Sequence, residues 1–315
     1  MTLTEPPEPA AGPVLGPAGP TAEELAAAEA ELLSVRDEIL RLIASKKLTP
    51  EQFFASVISQ SVDEVIDSPR TGRFLFSDLE KTEKTYVGTK VEIIGRNNLD
   101  LKREGSLDTI IAGVPVDVKW SADSKWMIPL EYMKKAIKPV CLMIGTRKQG
   151  GLTFDVFIGR PEGATGKNRD GKSGLSRGKL KKQAAGTYMP LVENGRLDPE
   201  YLSTLSVDAR ARVMAKRPGQ AMVNQLMLES MYRQVPRSAI MAAAQQLDGA
   251  RRVRQDASRR TPLPYYTLMG KWDSHRDAAA HLGYALDNGM FMPVQHADIA
   301  GLPVSLRNAV LNRRD

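Results

Sequence analysis

Asp117 and Lys119 stand two residues apart in Val114–Trp120, a run in which apolar and polar residues alternate. Successive side chains of a strand point to opposite faces, so an acid and an amine share one face while Val116 and Val118 pack on the other. Asp108 lies near the start of the preceding apolar run, and a hairpin through Ala112 and Gly113 brings its carboxylate close to Asp117. Two carboxylates on neighbouring strand ends make a hard-oxygen site for Mg²⁺, and Glu92, on the helical segment before them, supplies a third. Phosphodiester hydrolysis suits that set, because a bound metal polarises the phosphate and lowers the pKa of a water. Lys119 would orient that water and stabilise charge building on the phosphoryl oxygens. Asp-x-Lys alone is an ordinary pair of surface charges; Asp108 and Glu92 give it weight.

The elements that must position these residues begin after a leader, residues 1–20, whose six prolines among Ala and Gly read as disordered. Thr21 and Glu24 form a capping box, and Leu25, Ala28, Leu32, Val35, Ile39 and Leu42 follow a heptad seam. That helical arm, residues 21–45, packs either on a partner chain or on its own domain. Pro50 to Ile66 reads as a helix, and Thr82 to Asn97 as another, interrupted at Gly88. Strands are expected at Leu107–Ala112, Val114–Trp120, Pro139–Gly145 and Leu152–Gly159. The expectation is a nuclease domain over residues 46–160.

Residues 161–187 hold six glycines and seven Lys/Arg against two acids, so 161–186 is read as a basic linker with the domain boundary inside it. Beyond it, in residues 187–315, Ala221–Tyr232 and Arg237–Leu247 read as two helices joined at Gln234–Pro236, in helix-turn-helix order. Arg251, Arg252, Arg254, Arg259 and Arg260 follow, guanidinium groups suited to phosphate oxygens or guanine edges. Arg237 and Ser238, which open the second helix, are candidate DNA contacts with them, as are Lys81 and Lys84 ahead of Glu92.

Composition bounds these readings. The chain has 315 residues, 42% hydrophobic and 26% charged, which is near the globular average and leaves room for two domains. No apolar run approaches the ~18 residues a membrane helix needs, and no basic-then-apolar start marks a secretory signal. Its single cysteine, Cys141, fits a reducing cytoplasm, and His275, His281 and His296 are too scattered for a shared metal site. The net charge of +7 is uneven: residues 1–40 hold one Lys/Arg against eight acids, and residues 151–315 hold 25 against 15. A basic half is the footprint of a polyanion partner.

Three segments, Lys81-Thr-Glu-Lys-Thr-Tyr-Val-Gly-Thr-Lys-Val-Glu92, Leu107-Asp108 and Ala112-Gly-Val-Pro-Val-Asp117-Val-Lys119, resemble PD-(D/E)xK nucleases of the NaeI restriction endonuclease type. The likeness continues through Asp67–Arg73, Asn168–Asp170, Val223–Leu226 and Ala244–Asp248, over roughly residues 50–300. It implies a mixed sheet flanked by helices, with a C-terminal helix-turn-helix or winged-helix domain. It also implies a homodimeric, Mg²⁺-dependent bacterial enzyme that cuts double-stranded DNA at a specific sequence and binds a second DNA copy as effector. Glu92, Asp108, Asp117 and Lys119 inherit the catalytic roles. Leu107 stands where the family's motif has proline, and residues 1–45 have no counterpart.

MutH-type mismatch-repair nicking enzymes share the order of acids but lack the appended basic half. A helix-turn-helix regulator without nuclease activity is the reading from a different class. Gly166–Ser173 matches the phosphate-loop pattern, yet Gly174 and Gly178 break the helix such a loop needs, so a nucleotide cofactor is not expected.

Overall fold

The computed structural model describes residues 19–103, 107–147, 151–166, 168, 171–184, 186–246, 248–254 and 262–312. The leader up to residue 18 and Arg169, Asp170, Leu247, Arg259 and Arg260 lie outside the described residues.

Thr21 caps α1 (Ala22–Ser45), with its hydroxyl accepting from the Glu24 amide and the Glu24 carboxylate accepting from its own. The seam turns inward: Ala28, Leu32, Val35, Ile39 and Ile43 are buried, while Leu25 is 54% exposed. Burying each of those larger side chains contributes about 1.5–3 kcal/mol, so α1 belongs to the core of its own chain. There follow α2 (Pro50–Ile66), the single-turn α3 (Ser68–Thr71) and α4 (Lys81–Asn98). The break expected at Gly88 is absent: α4 runs through it unbroken, with Gly88 against the Trp120 side chain.

The sheet region runs β1 (Thr109–Ile111), β2 (Val114–Ser121), β3 (Lys125–Pro129), α5 (Leu130–Met133), β4 (Val140–Thr146), β5 (Thr153–Gly159), β6 (Lys172–Ser176), α6 (Arg177–Leu180) and β7 (Tyr188–Arg196). The main sheet has the order β1-β2-β4-β5-β7, mixed because β2 and β4 are parallel and the other pairs antiparallel. One face, with Val116, Leu142, Ile144, Phe154 and Ile158, packs on α1, α2 and α4. The other, with Cys141, Met143 and Phe157, is covered by the β3–β6 ribbon through Trp126, Ile128 and Leu175.

Two boundaries move. Residues 161–186, read as a linker, carry β6 and α6, and β7 completes the main sheet, so an edge at residue 160 would cut through it. Lys172 and Ser173, the end of the phosphate-loop pattern, open a strand paired with β3, and Thr165 bridges Gly174.

The C-terminal half comprises α7 (Val207–Met214), α8 (Gln220–Leu228), α9 (Arg237–Ala244), β8 (Tyr266–Met269), α10 (Asp273–His281), β9 (Phe291–Val294), α11 (His296–Gly301) and α12 (Val304–Asn312). Both helices of the expected pair are shorter than their apolar patterns. Between them Tyr232 and Val235 donate to Pro293 and Phe291 of β9, so the connection is held by the β8–β9 ribbon. In α9 Ala239, Ile240, Ala242, Ala243 and Ala244 are buried. His275 is buried too: Nδ1 accepts the Met269 amide, leaving Nε2 to donate to Val310.

The halves interlock. Phe74, from the loop before α4, joins the C-terminal core with Val213, Val223 and Ile240. Gly72 adopts φ +68°, and a Cβ there would fall 2.6 Å from the Gln245 side chain beyond α9. The Phe76 amide donates to Glu200 at 3.1 Å. No helix among the described residues is long and apolar enough to cross a membrane.

Candidate active site

Ala112 and Gly113 turn the β1–β2 hairpin with φ of 51° and 79°, the paired left-handed conformations whose twist matches antiparallel strands. The register pairs Thr109 with Val116, so one step outward Asp108 faces Asp117. Asp108 Oδ2 accepts the Val118 amide at 2.7 Å, which turns its carboxylate towards Asp117 of the facing strand. Lys119, on the same face as Asp117, places Nζ 2.5 Å from Asp117 Oδ2. The expected acid, acid and amine thus converge at one end of the hairpin.

Burial pushes Asp117 up to about 6; Lys119 opposes the rise and Asp108 adds to it. Crowded carboxyls of this kind hold a proton or a hard cation in place of mutual repulsion, so the pair fits a divalent metal. Cys141 pairs with Asp117 across β2 and β4, its thiol 3.9 Å from Asp117 Oδ2. Burial and then the Asp117 charge push that thiol far above its usual range, which leaves it a core residue and no nucleophile.

Glu92 is set apart from the pair. Arg96, one turn along α4, donates to Glu92 Oε1 at 2.9 Å and to the Asp108 carbonyl at 3.2 Å, so Glu92 is tied to the hairpin through a guanidinium. Among the described residues no three carboxylate, histidine or cysteine groups stand close enough to hold a metal ion between them. The expected set of three ligands is here an adjacent pair with Glu92 one side chain away. Arg96 was detectable at the i+4 position from Glu92, but its carbonyl contact depends on the tertiary fold.

The expected DNA contacts are scattered. Lys81 is exposed, whereas Lys84 folds back over the Phe76 ring and donates to the Ser77 carbonyl at 3.4 Å. At 1.5 Å per residue Lys84 lies about 12 Å up the helix from Glu92, outside the carboxylate cluster. Arg237 and Ser238 are exposed in the first turn of α9, and Arg251 and Arg254 are exposed in and just after a 3₁₀ turn, Gly249–Val253. Arg252 is partly buried and donates to Gln246 Oε1 at 2.8 Å.

Comparison with known proteins decides the family. The profile described as Restriction endonuclease NaeI matches residues 43–299. A relative named Type II restriction enzyme NaeI, from Lentzea aerocolonigenes, is 31% identical over 239 residues, 73% of each chain. The chain belongs to the NaeI restriction endonuclease family. Membership makes it a site-specific deoxyribonuclease, a hydrolase whose substrate is DNA, and type II restriction enzymes generally use a divalent metal. The family match begins inside α1.

Proposed function

We propose that this NaeI-family chain cuts both strands of a specific duplex sequence in the bacterial cytoplasm, with Mg²⁺ held by Asp108 and Asp117 and with Glu92 one side chain away. The observation that carries the reading is the meeting of Asp108, Asp117 and Lys119 on one hairpin, with Lys119 Nζ on the carboxylate oxygen of Asp117. The ion, when bound, supplies phosphate polarisation and a water of lowered pKa. Asp108 is oriented for its role by the Val118 amide, and Glu92 is tied to the hairpin through Arg96, which stands between it and the pair. Lys119 is the movable charge: once Asp117 is engaged elsewhere, its ammonium is available to the phosphoryl oxygens, where charge grows during hydrolysis.

In the same reading the PD-(D/E)xK nuclease unit extends to the end of β7, and α8, α9 and the β8–β9 ribbon form a helix-turn-helix unit of the winged kind. Arg237, Ser238, Arg251, Arg252 and Arg254 would contact a second, effector copy of DNA. A twofold dimer would present one active site to each strand, and its symmetry matches a palindromic target.

Incubating the protein with plasmid DNA, with and without Mg²⁺, and mapping the ends tests this. Paired cuts at one sequence, dependent on the metal, are expected. Cutting of a single strand would support a MutH-like nickase, and retention on a gel without cleavage a regulator.

A further inference from the structure

Tyr132 of α5 is 7% exposed, and its ring faces two ammonium groups. Lys119 Nζ lies 5.8 Å and Lys135 Nζ 5.9 Å from the ring centroid. An ammonium at that distance is attracted by the negative face of the ring. The ring is close to the carboxylates as well: burial and then the Asp117 charge push the Tyr132 hydroxyl well above the ordinary phenol range, with Asp108 adding to the effect. Lys119 already pairs with Asp117, whereas exposed Lys135 makes no ion pair or side-chain hydrogen bond among the described residues.

Local charge gives Lys135 a task. With both aspartates ionised, Asp108 and Asp117 against Lys119 leave a net negative cluster, and Glu92 with Arg96 cancel. A bound divalent cation would offset that charge at the reacting phosphate, but a DNA strand carries one negative charge per phosphate, and its neighbouring phosphates call for a cation beside the pair. Lys135 sits three residues after Tyr132, where one helical turn returns it to the same side, and its amide donates to the Tyr132 carbonyl at 3.2 Å.

We propose that Lys135 is a phosphate-binding residue of the hydrolytic site, holding a backbone oxygen of the strand to be cut, and that Tyr132 is the positioning residue that seats both Lys135 and Lys119. This rests on the nuclease reading above and adds the substrate's seat to it. Lys135 supplies ground-state attraction and Lys119 acts at the reacting phosphate, so their losses separate kinetically.

The test compares Lys135→Gln, Tyr132→Phe and Tyr132→Leu with the wild type, in steady-state cleavage with Mg²⁺ and in equilibrium binding to a short fluorescent duplex over a salt series. Lys135→Gln is expected to raise KM about tenfold, leave kcat within about threefold, and reduce the salt slope of binding by about one. Tyr132→Phe keeps the ring and should match the wild type. Tyr132→Leu should show the same KM defect with a further loss of kcat; circular dichroism reports whether it folds, and Lys135→Gln, at an exposed position, stands without it. Unchanged KM and salt slope in Lys135→Gln would overturn the proposal while leaving the nuclease reading intact. A wild-type protein that never cuts would remove the nuclease reading, and the salt slope would still judge Lys135.

Discussion

Lys119 Nζ occupies Asp117 Oδ2 at 2.5 Å, the very oxygen that a cation on the aspartate pair would need. Amine and metal therefore compete for one carboxylate. Lys119→Met is expected to bind Mg²⁺ or Ca²⁺ at least as tightly as the wild type while cleavage falls on the order of 10²–10³-fold. Asp117→Ala should lose both. Titration calorimetry beside single-turnover cleavage reads the two effects, and weaker metal binding by Lys119→Met would mean the ammonium helps build the site.

Asp155 is fully buried at the opposite end of β5 from the aspartate pair, and it gathers Arg147 at 3.2 Å, Arg177 at 2.7 Å and the Asn194 amide at 3.0 Å. Burial alone would raise this acid, but the amide and the two guanidinium groups prevail and hold it below its ordinary value. Its stabilisation is present above the unfolded pKa and is lost as pH falls. Asp155→Ala leaves two arginines without their anion and should cost about 3–5 kcal/mol. Urea unfolding near neutral pH measures it, and a loss under about 1 kcal/mol would show that the arginines find other partners.

The junction between the halves titrates in the other direction. Burial pushes Asp63 up to about 6, and burial, with Asp63 and Asp78 adding, pushes Glu200 up to about 7 despite the Phe76 amide. A raised native pKa favours the protonated acid, so the contribution is full below about pH 4 and is lost as pH rises through about 7. Glu200→Gln keeps an acceptor for Phe76 and removes the charge. It should be more stable than the wild type near pH 8, by on the order of 1–3 kcal/mol, and equal to it near pH 4. Parallel stability profiles for the two proteins would contradict this.

Arg251, Arg252 and Arg254 bear on the C-terminal half. Replacing all three with glutamine should lower the salt slope of DNA binding by about two to three, since each phosphate contact adds about 0.9. An unaltered slope would mean that these guanidinium groups face away from the duplex.

What could be read from sequence was what is local. The Thr21–Glu24 cap, the β1–β2 hairpin and the shared face of Asp117 and Lys119 each depend on residues near in the chain, and each stands as expected. β7 escaped notice because Pro190, Asn194 and Gly195 interrupt its pattern and its place is made by pairing with β5. β6 is a short strand within a Gly- and Lys-rich stretch, stabilised by β3 from far upstream. The same holds at the site: Glu92 was expected beside the aspartates, but Arg96 intervenes, and Tyr132 arrives from a helix beyond β3 that carried no signal.

Phe74 belongs by chain order to the half that carries the aspartate pair and by packing to the other half. A fragment ending at Arg196 would therefore display a naked aromatic peg, and its complement would carry the vacant socket. Engineers hoping to part the halves must bring the socket along or fill the hole, because what joins them is a plug as well as a tether.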